Sequence, residues 1–142
     1  MTPTLMFDLT GPLALSGWVL LAATPLAPRI ALPLGGVAIP LLLSVAYAVS
    51  AALWLPGAPG GFDSLANVMT LFTQPGPTMT GWVHYLAFDL LVGAWQVRDA
   101  RARGVPHLAV VPCLFLTLML GPVGLLSYLA LRTLWTRKVV FA

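Results

Sequence analysis

The chain has 142 residues, of which 59% are hydrophobic and 8% charged, with a mean hydropathy of +0.94. Soluble domains carry roughly 25% charged residues, so the composition excludes an ordinary soluble domain and predicts an integral membrane protein. The net charge of +3 is too small and too dispersed for a nucleic-acid partner. A single cysteine, Cys113, excludes an intrachain disulfide and any cysteine-based zinc cluster.

A bilayer span needs about 20 predominantly apolar residues in a helix. Residues 1–10 hold no Lys or Arg, so no signal-peptide n-region is expected there. Residues 9–28 are uncharged and supply a first span. Pro25, Pro28, Arg29 and Pro33 mark a tight connection, and a second span fits 34–55, bent at Pro40. The run Pro56-Gly-Ala-Pro-Gly-Gly61 then breaks the helix. Residues 62–73 place Phe62, Leu65, Met69 and Phe72 at helical spacing behind Asp63 and Ser64 as caps. That segment is too short to span and is expected to lie in the interface. After a turn at Gln74-Pro-Gly-Pro77, a third span covers 80–97, interrupted only by Asp89, and residues 98–104 form a basic loop. A fourth span covers 107–131, kinked at Gly121-Pro122.

The expected fold is therefore all-α: one membrane domain, a bundle of about four transmembrane helices with a short interfacial helix between the second and third. With four spans, Arg29, Arg98, Arg101 and Arg103 share one side and Arg132, Arg137 and Lys138 the other. The larger set places the 98–104 loop in the cytoplasm, in a bacterial inner membrane.

Asp89 stands out because an ionised carboxylate at mid-span costs about 2.5–3.5 kcal/mol on insertion scales. It is expected to face the bundle, and helical spacing sets Trp82, Tyr85, Gly93 and Gln96 on its face. Counting depth along the other helices brings Ser44 and Thr117 level with Asp89, while Tyr47 joins Tyr85 and Trp82 nearer the interfacial segment. The product is an apolar pocket with a few polar groups. A structural reading competes: buried aspartates also hold helices together, Trp18, Trp54, Trp82 and Trp95 suit interfacial anchoring, and Thr117, Gly121 and Gly124 suit close helix packing. His84 lies about 140° around the helix from Asp89. His107 falls at the opposite membrane face, so no two-histidine metal or haem site is expected. Nor is there a nucleotide or metal motif, and no cofactor is expected.

The stretch Gly81-Trp-Val-His-Tyr-Leu-Ala-Phe-Asp-Leu90, then Arg98-Asp99, Val111-Pro-Cys-Leu114 and Leu118-Met-Leu-Gly-Pro-Val-Gly-Leu-Leu126, carries a resemblance. It resembles the abscisic-acid-deficient-four-like membrane proteins, whose plant members are required to make neoxanthin from violaxanthin. The resemblance covers residues 62–132; the first two spans fit in length and hydropathy. It implies a bundle of about four spans and, where chemistry is present, a redox-neutral isomerisation of a carotenoid or other isoprenoid lipid. Under that implication Asp89 is the acid and His84 or Tyr85 relays or accepts the proton, with Trp82, Tyr47, Ser44, Thr117 and Gln96 lining the substrate site. The alternative is a non-catalytic bundle that binds lipid or a partner membrane protein, as a homo-oligomer whose contact is the Thr117–Gly124 face.

Overall fold

A computed structural model describes residues 1–137. Its helices are α1 (Pro3–Ala22), α2 (Pro28–Trp54), α3 (Leu65–Leu71), α4 (Pro75–Ala102), α5 (His107–Leu120) and α6 (Pro122–Thr136), and the described residues contain no strand. Of these, α1 with 20 residues and α2 with 27 are both long and apolar enough to cross a membrane.

Local chemistry fixes most of the boundaries. The Thr2 hydroxyl accepts the Leu5 N–H at 3.2 Å and Pro3 takes the first position of α1, where no N–H is needed. In the same way Ser64 caps α3 through the Asn67 N–H, so the segment expected at the interface is a seven-residue helix. Helix α4, at 28 residues, is longer than the expected span at both ends. The Gln74-Pro-Gly-Pro77 segment read as a turn is its start, because proline at the first position suits a helix N-terminus. The expected basic loop at 98–104 is largely its last turn.

Pro40 does not simply bend α2. It lacks the N–H that would meet the Gly36 carbonyl one turn earlier. The helix widens there into a π turn at Leu34–Ala38, and Arg98 of α4 donates to the freed Gly36 carbonyl at 3.3 Å.

The long central helix α4 packs on α1, α2, α5 and α6. Val83, Leu90, Ala94 and Val97 are fully buried along it, with Leu21, Leu43 and Val110 closing over them from the neighbours. Glycines set the approach distances. A Cβ on Gly93 would lie 2.5 Å from the Trp18 ring, and one on Gly35 would lie 2.9 Å from Leu20 Cβ. The outer surface is apolar: Leu41, Val45, Leu53, Phe88, Phe115 and Leu126 are all more than half exposed. A soluble monomer does not present such a surface to water.

The expected fourth span is not one helix. Gly121 adopts φ +42 and the chain reverses there, so α5 and α6 form an antiparallel hairpin. A Cβ on Gly124 would collide with the backbone of Thr117, seven residues earlier, which a straight helix would hold a full two turns away. The arms have 14 and 15 residues. At 1.5 Å per residue each is about 21 Å long, short of the ~30 Å hydrocarbon layer. Pro122 ends α5 because it has no N–H to continue it.

This reversal corrects the charge map. Arg132 returns to the end of the bundle that holds Arg103, since both pair with Asp99. At the same end His107 Nε2 lies 2.9 Å from the Ala22 carbonyl, and Arg98 reaches Gly36. Every arginine thus gathers at one end, with Arg29 opening α2 and Arg137 closing α6; Lys138 lies outside the described residues. Asp8 and Asp63 belong to the opposite end.

Candidate functional site

Asp89 lies at the middle of α4, fourteen residues after Pro75 and thirteen before Ala102. It is half-buried, and its Oδ2 is fully buried without a hydrogen-bond partner among the described residues. The carboxylate packs against the tip of the α5–α6 hairpin: its Oδ1 and Oδ2 are 2.9 and 3.2 Å from the point where a Gly121 Cβ would stand. Glycine is required there twice, for the positive φ and for the space.

Tyr85 lies one turn away on the same face and donates its hydroxyl to the Leu118 carbonyl at 2.7 Å. That carbonyl is free because Pro122, four residues on, has no N–H to offer it. Tyr85 therefore ties the hairpin tip to α4 beside Asp89. Trp82 continues the row, 5.5 Å from Tyr85 and 5.9 Å from Phe7 of α1 between ring centroids. Phe7 and Trp82 are 51% and 41% exposed, so an aromatic track leads along the surface from the Asp8 end to Asp89.

The other expected site residues divide among different places. Gln96 and Thr117 meet each other rather than Asp89: the Gln96 amide donates to Thr117 Oγ1 at 2.9 Å, and Thr117 donates to the Cys113 carbonyl at 2.8 Å. Gln96 Oε1 is buried without a partner. Ser44 is exposed and spends its hydroxyl on the Pro40 carbonyl at 2.8 Å, so it does not reach Asp89. The depth count failed there because it set level but not facing. Tyr47 and His84 meet edge to face at 5.3 Å on the α2 side of α4, with His84 stacked on Phe88 at 4.6 Å. This places His84 on the side of α4 away from the hairpin tip and from Asp89.

A second polar cluster was missed from the sequence. Asp99, two residues beyond the apolar stretch 80–97, accepts the Tyr128 hydroxyl at 2.6 Å and Arg103 Nε at 2.8 Å, and Arg132 Nε stands 3.5 Å away. Tyr128 is fully buried and Arg132 nearly so. Desolvation pushes the Asp99 carboxyl up, but the Tyr128 and Arg103 hydrogen bonds and the two guanidinium charges outweigh it and hold the group below the usual carboxylate range. Tyr128 and Arg132 are one helical turn apart, a readable signal that the assumption of a straight fourth span hid. Among the described residues no cluster of His, Cys, Asp or Glu could hold a metal ion.

Fold and site together define an all-helical protein with an apolar outer surface and a carboxylate halfway along its central helix. The chain belongs to the ABA DEFICIENT 4-like (ABA4-like) family, whose model matches residues 5–128 and so includes α1 and α2 as well as the motif-bearing half. Comparison with curated proteins and with solved structures gives no match.

Proposed function

We propose that the chain is an integral membrane protein in which α1, α2 and the 80–97 part of α4 cross the bilayer, while the α5–α6 hairpin enters from the arginine-bearing side and returns to it. The arginine-rich end then faces the cytoplasm of a bacterial inner membrane. In this placement Asp89 is an intramembrane acid serving a redox-neutral isomerisation of an isoprenoid lipid of the carotenoid type.

The observation that carries this reading is the buried, unpartnered Oδ2 of Asp89 at the end of an aromatic track. A carboxyl in hydrocarbon is favoured in its neutral form, which can donate a proton. Because the hairpin fills only the arginine half of the bundle, the opposite half beside Phe7, Trp82 and Tyr85 is accessible laterally to a long apolar chain. On an epoxide-bearing end group the carboxyl would give its proton to the epoxide oxygen as the C–O bond breaks. The resulting carboxylate would take a proton from the adjacent carbon as the new C=C forms, which restores the acid with no net oxidation. Tyr85 holds the hairpin tip beside Asp89 through the Leu118 carbonyl; His84, on the other side of α4, has no part in this step.

The test is turnover of a carotenoid epoxide by the protein in proteoliposomes, followed by chromatography of the products. Asp89→Asn should lower turnover by about 10²–10⁴-fold while leaving pigment binding, read from the absorption shift of the bound polyene, in place. Unchanged turnover would remove Asp89 as the acid. The competing reading is a non-catalytic bundle that binds lipid or a partner membrane protein; within one chain Gly124 packs on Thr117 and Gly121 on Asp89.

A further inference from the structure

A cavity of about 210 Å³ lies on the α2 side of α4, roofed by α3 and the segment before it. Tyr47, Leu55, Phe62, Phe72, Thr80 and His84 are among its walls. Gly81 makes it possible. A Cβ there would come within 2.6 Å of the Phe72 ring, so glycine lets that ring lie down on α4 and close the top.

We propose that this cavity binds the ring of a monocyclic, singly oxygenated apolar molecule, an alicyclic alcohol or ketone, with Tyr47 and His84 recognising its oxygen. The lining is otherwise hydrocarbon, and its three polar side chains have different states. Thr80 already donates to the Gly76 carbonyl at 3.1 Å. Neither the Tyr47 hydroxyl nor a His84 ring nitrogen has a hydrogen-bond partner among the described residues, although packing fixes both rings against each other. His84 is exposed on a face that, in the proposed placement, meets lipid tails. Both groups line the cavity with hydrogen-bonding capacity to spare, and an oxygen-bearing ligand would use what the protein leaves open. One hydroxyl can accept from an imidazole N–H and donate to the phenol oxygen at once.

Size narrows the class. At about 210 Å³ the cavity falls below the ~300–1,000 Å³ of drug-sized sites. It takes one substituted ring, with any longer tail left in the bilayer. The site is separate from Asp89, on the other side of α4, and does not depend on its proposed acid role.

The probe pair is menthol and p-menthane, which share a skeleton and differ by one oxygen, added to ¹⁵N-histidine-labelled protein in lipid nanodiscs. Menthol should move the His84 ring resonances saturably and leave those of His107 in place, and p-menthane should not reproduce the shift. Tyr47→Phe should weaken menthol about tenfold, a difference of about 1.4 kcal/mol. Asp89→Asn should leave the response intact. Equal shifts from both probes, a response without saturation, or unchanged menthol affinity in Tyr47→Phe would each overturn the assignment.

Discussion

Pro40 and Pro122 each withhold the N–H that would have met a carbonyl four residues earlier, and in both cases a side chain of α4 supplies the missing donor. Arg98 serves the Gly36 carbonyl and Tyr85 the Leu118 carbonyl. In an apolar surrounding this is the difference between a tolerated proline and a costly one. Asp99 gathers a third set of partners, and its depressed carboxyl pKa makes a pH-dependent prediction. A group whose pKa is lowered by folding contributes stability above its unfolded value of about 3.9, and that contribution is lost as pH falls through the folded value. Acidification below about pH 4 should therefore lower the melting temperature. Tyr128→Phe, which removes a hydrogen bond to a charged group, should cost about 1.5–3 kcal/mol at pH 7 and flatten the acid limb. Equal melting of the two proteins at pH 7 and pH 3 would show that the contact contributes nothing.

At the scale of elements, the hairpin is the part the sequence did not disclose. A straight span and a hairpin can be built from the same uncharged run, and Gly-Pro marks a kink as readily as a reversal. What separates them is pairing across distance: Thr117 with Gln96, Tyr128 and Arg132 with Asp99. Those pairs are invisible to counts of depth that assume full-length spans. The long apolar runs that became α1 and α2 were legible from length and hydropathy, but their ends were not. Helix α1 is Pro3–Ala22 rather than 9–28, and Pro28, Arg29 and Pro33, read as part of the connection, belong to the start of α2. Asp89 was legible too, as the lone charge in its run; its neighbours Tyr85 and Trp82 followed from helical spacing. Ser44 was legible as a residue at about the right depth but not as one facing elsewhere, whereas the offset of His84 from Asp89, about 140°, was already in the helical count. The hairpin makes its own prediction. Gly124→Ala drives a Cβ into the Thr117 backbone, whereas Gly93→Ala meets only the edge of the Trp18 ring, which can shift. Overpacking costs about 1–3 kcal/mol when side chains can move. Gly93→Ala should fall in that range, and Gly124→Ala should exceed it in a thermal melt; the reverse order would mean the hairpin is not closed as described.

For the whole molecule, gathering every arginine at one end turns a balanced charge map into a one-sided one. In the proposed placement, orientation rests on that bias rather than on a margin of one. In that placement, three crossings and a hairpin put the 103–106 connection and residue 137 on the same side, with α3 opposite; four spans would separate 103 from 137. Single cysteines introduced at 103 and at 137 in a Cys113→Ala background should both resist an impermeant thiol reagent applied to intact cells, while one at 66 should react. Labelling of 137 but not 103 would restore the four-span arrangement.

The short hairpin also bears on how the chain is threaded during synthesis. In the proposed placement nothing after residue 97 has to be carried through the bilayer. The connection between α2 and α4 that does cross holds Asp63 as its only charged side chain. The arginines, groups whose export the membrane potential opposes, stay where they are made. Insertion can therefore be completed by folding the last two helices back from the near side, with no further translocation work.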